Sequence, residues 1–184
     1  MQTTSGTSLS DGEPAAGSRR PRRAHRYVRL FAGVALFAYV ADVLTKVLAV
    51  EMLAASPGIP VVGDLLTLRL TRNPGAAFSL GTSATFALSV ISIVVVCVVI
   101  VLGRRVASPM WAVALGLLLG GAAGNLTDRL LREPGPMRGH VVDFLELPNW
   151  PVFNLADSAI VLAAGLIILQ SFRGVQIDGG RAKS

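Results

Sequence analysis

Two aspartates in the C-terminal third of the chain have the residue type and spacing for acid–base chemistry. Asp143 ends a short apolar segment, and Asp157 follows fourteen residues later near the start of a long apolar stretch. Two carboxylates held together cannot both ionise cheaply, so one would act as general base on a water while the other, protonated, polarises a carbonyl. The positive end of a helix that begins near Asp157 would favour its ionised form and leave Asp143 as the proton carrier. The pattern predicts aspartic-protease chemistry, against the alternative of two unrelated aspartates at a membrane surface.

Other catalytic groups have less support in the sequence. The single cysteine, Cys97, lies in an uncharged apolar stretch, which is typical of packing rather than of a nucleophile. With only two histidines, His25 and His140, no Cys/His metal cluster can be assembled, and we expect neither a metal nor a cofactor. A serine–histidine pair of His140 with Ser158 or Ser79 is a weaker alternative, because no glycine-flanked turn precedes Ser158.

The composition indicates how these residues must be positioned. Of 184 residues, 52% are hydrophobic and only 15% are charged, which is too apolar for a water-soluble domain of this size. Four apolar segments of about 20 residues each match a hydrocarbon core of roughly 30 Å. We place these predicted transmembrane helices at about Tyr27–Val50, Ala84–Leu102, Met110–Leu131 and Val152–Phe172.

The distribution of charge predicts the orientation of these helices. The chain has 17 basic and 11 acidic residues, a formal net charge of +6, which in a soluble protein would suggest nucleic-acid binding. The position of the basic residues indicates instead a signal that orients the chain in the membrane, and we expect no nucleic-acid partner. Six arginines lie in one run at the start of the first apolar segment: Arg19, Arg20, Arg22, Arg23, Arg26 and Arg29. Arg104 and Arg105 between helices two and three, with Arg173, Arg181 and Lys183 at the C-terminus, add to the same side. Both termini are therefore predicted to be cytoplasmic.

The two ends of the chain are predicted to be tails. Residues 1–26 are rich in Gly, Ser, Pro, Ala and Arg and are expected to form a disordered basic cytoplasmic tail. Residues 27–172 then form the membrane domain, and residues 173–184 form a cytoplasmic C-terminal tail. The first apolar segment is too long for a cleaved secretory signal and carries two charges, Asp42 and Lys46.

The connections on the other side have a β pattern. From Val61 to Thr71, leucines alternate with polar residues at the period of a strand, within an interfacial region of about residues 58–80. Asn73-Pro74-Gly75 then predicts a turn, and Gly139–Phe144 is a candidate partner strand. Such a sheet must lie at the interface, since unpaired backbone groups are costly in lipid. The predicted fold is an all-α membrane protein of four transmembrane helices with a small β-sheet and loop on the outer membrane surface.

The polar residues within the apolar helices all fall near the outer ends of those helices. Charged groups in lipid are costly, so a shared depth indicates an assembled polar site close to the loops that hold Asn73 and Asp143. Asp42 and Lys46 are one helical turn apart and can pair, and Asp128 has Arg132 as its local partner. The remaining members are Asn125, Arg129, Asn154 and Asp157. The run Gly120–Gly124 is more typical of close helix packing than of a phosphate loop.

Five blocks of the sequence together resemble the signature blocks of bacterial lipoprotein signal peptidase, also called signal peptidase II. They are Asp42-Val-Leu-Thr-Lys46, Asn73-Pro-Gly-Ala-Ala-Phe78, Gly120-Gly-Ala-Ala-Gly-Asn-Leu-Thr-Asp-Arg129, Val141-Val-Asp-Phe144 and Phe153-Asn-Leu-Ala-Asp157. The resemblance implies an aspartyl endopeptidase of the bacterial inner membrane that cuts diacylglyceryl-modified prolipoproteins just before the lipidated cysteine. It also implies sensitivity to the cyclic peptide antibiotic globomycin, and we expect membrane lipids as neighbours and a monomer.

By this resemblance the catalytic pair is Asp143 and Asp157. Residues that support or line the site match Asp42, Lys46, Asn73, Gly75, Asn125, Asp128, Arg129 and Asn154. The sequence departs from the family in two places: the Arg-rich N-terminal extension and the short connection between the two aspartates. The second departure bears on how the loop beside the pair contacts substrate.

Two rival functions predict a different distribution of polar residues. A small four-helix transporter or channel would spread them through the bilayer, whereas here the second helix has nothing more polar than serine and threonine and the inner halves of the others lack charge. A purely structural membrane subunit would give no reason for two aspartates and three asparagines at one depth.

Overall fold

The structure, a computed structural model of the chain, describes residues 20–75 and 82–180, with side chains from residue 26 onward except 82–84. Within these ranges it contains four long helices and a three-stranded antiparallel sheet. The helices are α1 (Arg20–Leu53), α2 (Thr82–Gly103), α3 (Pro109–Leu131) and α4 (Leu155–Phe172), and the strands are β1 (Ile59–Val62), β2 (Leu66–Asn73) and β3 (Val141–Glu146).

All four described helices are long and apolar enough to cross a membrane, which confirms the predicted number. Large apolar side chains lie on their outer faces, where Phe37 is 74% exposed and Val161 71% exposed. Exposed apolar surface of this extent would be unfavourable in water and is suited to lipid. The fold class expected from composition is therefore the observed one.

The start of α1 corrects the predicted N-terminal tail. The helix begins at Arg20, so residues 20–26, which composition assigned to the disordered tail, are helical. Arginine and alanine favour helices, and Pro21 is tolerated there because the first helical turn has no use for its missing N–H. Residues 1–19 of the predicted tail lie outside the described part of the chain, as do Arg181 and Lys183.

The start of α4 is also corrected. The apolar stretch predicted a helix from Val152, but the helix begins at Leu155 because Asn154 caps it. Phe153 is extended instead and pairs with Leu145 at the end of β3. Hydrophobicity alone cannot separate these two states, and the capping asparagine decides between them.

Helix α3 packs against each of the other three helices. Its small residues allow this: a Cβ added at Gly121 would lie 2.6 Å from the carbonyl oxygen of Ala156 in α4. At Gly120 the corresponding distance to the Ala35 carbonyl oxygen of α1 is also 2.6 Å. The predicted role of this run in close helix packing is confirmed.

The sheet has the order β1-β2-β3 and lies at one end of the helical bundle, called here the sheet end. The pairing of the Leu66–Thr71 region with the segment before Phe144 is confirmed, with Asn73 opposite Val141 and Thr71 opposite Asp143. The single strand predicted from Val61 to Thr71 is wrong, because the chain turns back between β1 and β2, where Gly63 has a φ of +48°.

The opposite end of the bundle has an apolar core and holds the C-terminal segment. Phe31, Val99, Trp111 and Leu115 form a buried cluster there. The indole Nε1 of Trp111 donates a 2.9 Å hydrogen bond to the Val175 carbonyl, which ties residues after α4 to the start of α3. The ends of α1 and α3 and the starts of α2 and α4 are thus left to build the sheet end.

Candidate active site

The two aspartates singled out by the sequence come from different elements that meet at the sheet end. Asp143 lies on β3 with its side chain buried, and Asp157 lies half-buried in the first turn of α4. The charge of Asp157 acts on the Asp143 carboxyl, so the two groups lie within electrostatic reach of each other. The structure therefore brings the predicted pair into one site.

Asn154 joins the two carboxylates. As the cap of α4, its Oδ1 accepts a 2.9 Å hydrogen bond from the Asp157 N–H, and its own N–H donates to Asp157 Oδ2 at 3.2 Å. Its Nδ2 donates to Asp143 Oδ1 at 2.7 Å. The side chain is fully buried, so these bonds form without competition from solvent. One residue thus fixes the position of both acids.

The end of β2 provides a second amide for Asp143. Asn73 Nδ2 donates to Asp143 Oδ2 at 2.9 Å, and Asn73 Oδ1 accepts from the Gly75 N–H at 2.8 Å. Gly75 has a φ of +98°, which glycine adopts readily, and an added Cβ would lie 2.6 Å from the Leu88 side chain of α2. The turn predicted at Asn73-Pro74-Gly75 therefore orients the asparagine.

Asp157 is held from the other side by α1 and α3. Asn125 Nδ2 donates to Asp157 Oδ1 at 2.8 Å, and Asn125 Oδ1 accepts a 2.8 Å hydrogen bond from Lys46 Nζ. The Lys46 charge fixes which way the amide points, since an ammonium can only donate. As a result, Asn125 presents a donor to Asp157.

Lys46 also anchors a buried ionic network. Its Nζ lies 2.8 Å from Asp42 Oδ2 and 2.9 Å from Asp128 Oδ2, and all three side chains are almost completely buried. Arg132 pairs with the other oxygen of Asp128. The predicted pairs Asp42–Lys46 and Asp128–Arg132 are confirmed, and the link from Lys46 to Asp128 is additional.

The two carboxylates of this network each hold the backbone beside one candidate catalytic residue. Asp42 Oδ1 accepts a 2.9 Å hydrogen bond from the N–H of Ala156, which precedes Asp157. Asp128 Oδ2 accepts a 3.1 Å hydrogen bond from the N–H of Val142, which precedes Asp143. One buried lysine therefore couples the backbone positions of both aspartates.

Arg129 brings a cation to the pair. Its guanidinium interacts electrostatically with both Asp143 and Asp157. Its Nη1 is buried and makes no hydrogen bond with any residue that the structure describes. A buried donor without a protein partner is costly, and it is suited to binding an oxygen of a ligand.

The two aspartates differ in environment. Burial, together with the neighbouring charge of Asp157, raises the pKa of the Asp143 carboxyl from an ordinary 3.8 to about 6. Hydrogen bonds from Asn73 and Asn154 and the charge of Lys46 act in the opposite direction. Asp143 is thus a group that can hold a proton close to neutral pH.

The alternative chemistries receive no geometric support. The Ser158 hydroxyl donates to the Asn154 carbonyl of its own helix at 3.1 Å, while Ser79 lies outside the described residues. Cys97 is exposed on the outside of α2. Among the residues described, no three His, Cys, Asp or Glu side chains are grouped to hold a metal ion.

Two contacts of α2 with the site loops were not predicted. The buried hydroxyls of Thr85 and Ser89 donate to the carbonyls of Pro74 and Met137. The available signal was their spacing of four residues in an otherwise apolar helix, which puts both on one face. The sequence could not supply the identity of the distant carbonyls.

Comparison with known proteins gives a consistent result. The signal peptidase (SPase) II family matches residues 34–173. The lipoprotein signal peptidase of Mycobacterium avium is 48% identical over 94% of this chain and 93% of its own length, and that of Rhodococcus jostii is 48% identical over 94% and 87%. A solved bacterial membrane enzyme structure at 1.9 Å resolution is 27% identical, with a TM-score of 0.68 over 76% of this chain and 90% of its own. This chain belongs to the signal peptidase II family.

Proposed function

We propose that the protein is an aspartic endopeptidase that removes signal peptides from diacylglyceryl-modified prolipoproteins, cutting on the N-terminal side of the lipidated cysteine. The observation that carries the proposal is the linkage of Asp143 and Asp157 through Asn154. Similarity to lipoprotein signal peptidases over nearly the whole chain supports the substrate class.

The environments of the two acids assign their roles. Asp143, with a pKa near 6, carries the shared proton and donates a hydrogen bond to the scissile carbonyl oxygen. Asp157, at the positive end of α4, acts as the general base and takes a proton from the attacking water as that water adds to the carbonyl carbon. The carbon–nitrogen bond then breaks, and the departing amine takes that proton from Asp157.

Three further residues support this chemistry. Lys46 and Asn125 hold Asp157 through a chain of hydrogen bonds that keeps its orientation fixed during proton transfer. Arg129 has a buried donor for a carbonyl oxygen of the bound peptide. Binding of that oxygen would add to the electrostatic stabilisation of the transition state.

The site is placed for a lipid-bound substrate. The sheet end, where the aspartates lie, is opposite the end that carries Arg26, Arg29, Arg104, Arg105 and Arg173. By the positive-inside rule, both termini are cytoplasmic and the sheet lies at the outer leaflet of the bacterial inner membrane. A diacylglyceryl group in that leaflet can reach the pair by lateral movement between helices.

In this proposal the β1–β2 hairpin and the turn at Asn73–Gly75 cover the bound peptide, while the end of the predicted covering segment at Phe78 lies outside the described residues. Crosslinking this hairpin to the membrane surface is expected to impair turnover.

The enzyme acts as a monomer in this proposal, with globomycin as an inhibitor. The transporter or channel alternative is not favoured, because the described bundle has its polar cluster at the sheet end and an apolar cluster around Phe31 and Trp111 at the other.

The proposal is tested with purified protein in lipid and two matched peptides, one carrying a diacylglyceryl cysteine and one with the unmodified cysteine. We expect cleavage of the lipidated peptide only, with a mass spectrum that locates the cut immediately before the modified cysteine. Equal cleavage of both peptides, or cleavage elsewhere, would contradict the substrate class.

A further inference from the structure

Helix α2 contributes two buried hydroxyl groups to the sheet end. Thr85 is 2% exposed and Ser89 is fully buried, although most side chains of this helix are apolar and many are exposed. Hydroxyls in a helix commonly bond the carbonyl four residues back. Ser92, on the same helix, does only this, with a 2.8 Å bond to the Leu88 carbonyl.

Thr85 instead donates out of its helix. Its Oγ1 lies 2.5 Å from the carbonyl oxygen of Pro74, the residue directly after Asn73. The Ser89 Oγ lies 2.9 Å from the Thr85 carbonyl of its own helix and also 2.7 Å from the Met137 carbonyl on the segment between α3 and β3. The two hydroxyls thus fasten α2 to the segments that follow β2 and precede β3.

The contact at Pro74 lies next to a residue that contacts the candidate catalytic pair, because Asn73 directly precedes Pro74. The Asn73 amide donates to Asp143 Oδ2 and is itself oriented by the Gly75 N–H. Gly75 also packs against Leu88, one turn along α2 from Thr85. The residues on both sides of the Asn73–Pro74 bond are therefore fixed, one to Asp143 and one to α2.

We propose that Thr85 is a positioning residue whose hydroxyl, by holding the Pro74 carbonyl, keeps the Asn73 amide bonded to Asp143. The proposal rests on the function proposed above for Asp143 and adds a residue outside the signature blocks. Thr85 touches neither aspartate, so it acts only through Asn73.

Loss of the contact between Thr85 and Pro74 is expected to change the pKa of Asp143 in one direction. The charged groups that act on Asp143 come from α1, α3 and α4, namely Lys46, Arg129 and Asp157. The Asn73 hydrogen bond favours the ionised form of Asp143, so weakening it raises the pKa of that carboxyl. If protonated Asp143 is the active form, the fall of activity at high pH then moves to higher pH.

The test compares Thr85→Val, which removes the hydroxyl at equal size, with Thr85→Ser, which keeps it, and with Ser92→Ala as the control. We expect Thr85→Val to lower kcat about tenfold or more with KM little changed, because a misplaced catalytic group slows the chemical step. The pH at which the activity of Thr85→Val falls on the alkaline side should be higher than in the wild type. Thr85→Ser and Ser92→Ala should match the wild type in both respects.

An infrared titration of the Asp143 carboxyl, assigned by its absence in Asp143→Asn, gives a readout that does not need cleavage. A higher pKa of the Asp143 carboxyl in Thr85→Val, but not in Thr85→Ser or Ser92→Ala, supports the inference. An unchanged pKa together with an unchanged kcat in Thr85→Val overturns it. A wild type that cleaves no lipidated peptide rejects the proposed function, and the titration still decides the role of Thr85.

Discussion

Asn154 donates a 2.7 Å hydrogen bond to Asp143 while its side-chain oxygen caps the helix that carries Asp157. The same amide group therefore serves folding and the candidate chemistry. Because the capping bonds use its side-chain oxygen and its backbone N–H, while the bond to Asp143 uses its side-chain nitrogen, the two roles can be separated by substitution.

Asn154→Ser is expected to keep the cap and lose the two bonds that the side-chain nitrogen donates, to Asp143 and to Asn125 Oδ1. Serine caps helices about as well as asparagine, but it cannot reach Asp143 as the longer amide does. We expect near-wild-type thermal stability with strongly reduced cleavage, whereas Asn154→Ala should lose about 1 kcal/mol of stability as well. Wild-type cleavage by Asn154→Ser would show that the bond to Asp143 has no catalytic importance.

The raised pKa of Asp143 predicts a pH-dependent stability difference. A carboxyl whose folded pKa lies above its unfolded value favours folding most at low pH, and this contribution is lost as the pH rises through about 6. Asp143→Asn cannot ionise and should be more stable than wild type at about pH 8, by about 1–3 kcal/mol, but not at about pH 4. Thermal unfolding at both pH values measures this, and a constant difference would contradict the raised pKa.

Lys46→Met is expected to destabilise the protein by about 3–5 kcal/mol, because it leaves the buried Asp42 and Asp128 carboxylates without their shared cation. The matched control is Arg69→Gln, which breaks the half-exposed pair of Arg69 with Glu146 and should cost less than about 1 kcal/mol. Unfolding by denaturant compares the two. If the two variants lost equal free energies of unfolding, the buried network would contribute no more to stability than a surface ion pair does.

Gly124→Ala should disrupt the site through α1. An added Cβ would collide with the Asp42 carboxylate, which holds the backbone beside Asp157. Gly165→Ala in α4 is the control, because nothing lies within 4 Å of its added Cβ. We expect loss of cleavage and stability in the first variant and neither in the second, measured by turnover and thermal unfolding. Full activity of Gly124→Ala would contradict the tight packing of α1 on α3.

The sequence was sufficient to predict the helices and most of the site. Charged and amide side chains are rare in apolar helices, so Asp42, Lys46 and Asn125 indicate a polar site at a common depth. The pair Asp128–Arg132 followed from helical spacing alone.

Other features depend on information that a local pattern does not contain. The segment predicted as one strand contains Gly63, and the alternation of Leu66, Leu68 and Leu70 after it does not reveal that the chain reverses between β1 and β2. Val152 and Phe153 are as apolar as the helix that follows, and only the capping bonds of Asn154 exclude them from it. Thr85 in α2 and Pro74 in the turn after β2 are 11 residues apart, so the periodicity of the sequence does not predict their contact.

The proposed function requires that Asp143 and Asp157 act together as the catalytic pair. Its most direct test is single-turnover cleavage of a diacylglyceryl prolipoprotein by the wild type, Asp143→Asn and Asp157→Asn, each shown to be folded by thermal unfolding. We predict that each substitution lowers the rate by at least about a thousandfold, since members of a catalytic unit fail together. Cleavage within about tenfold of the wild-type rate by either folded variant would contradict the account.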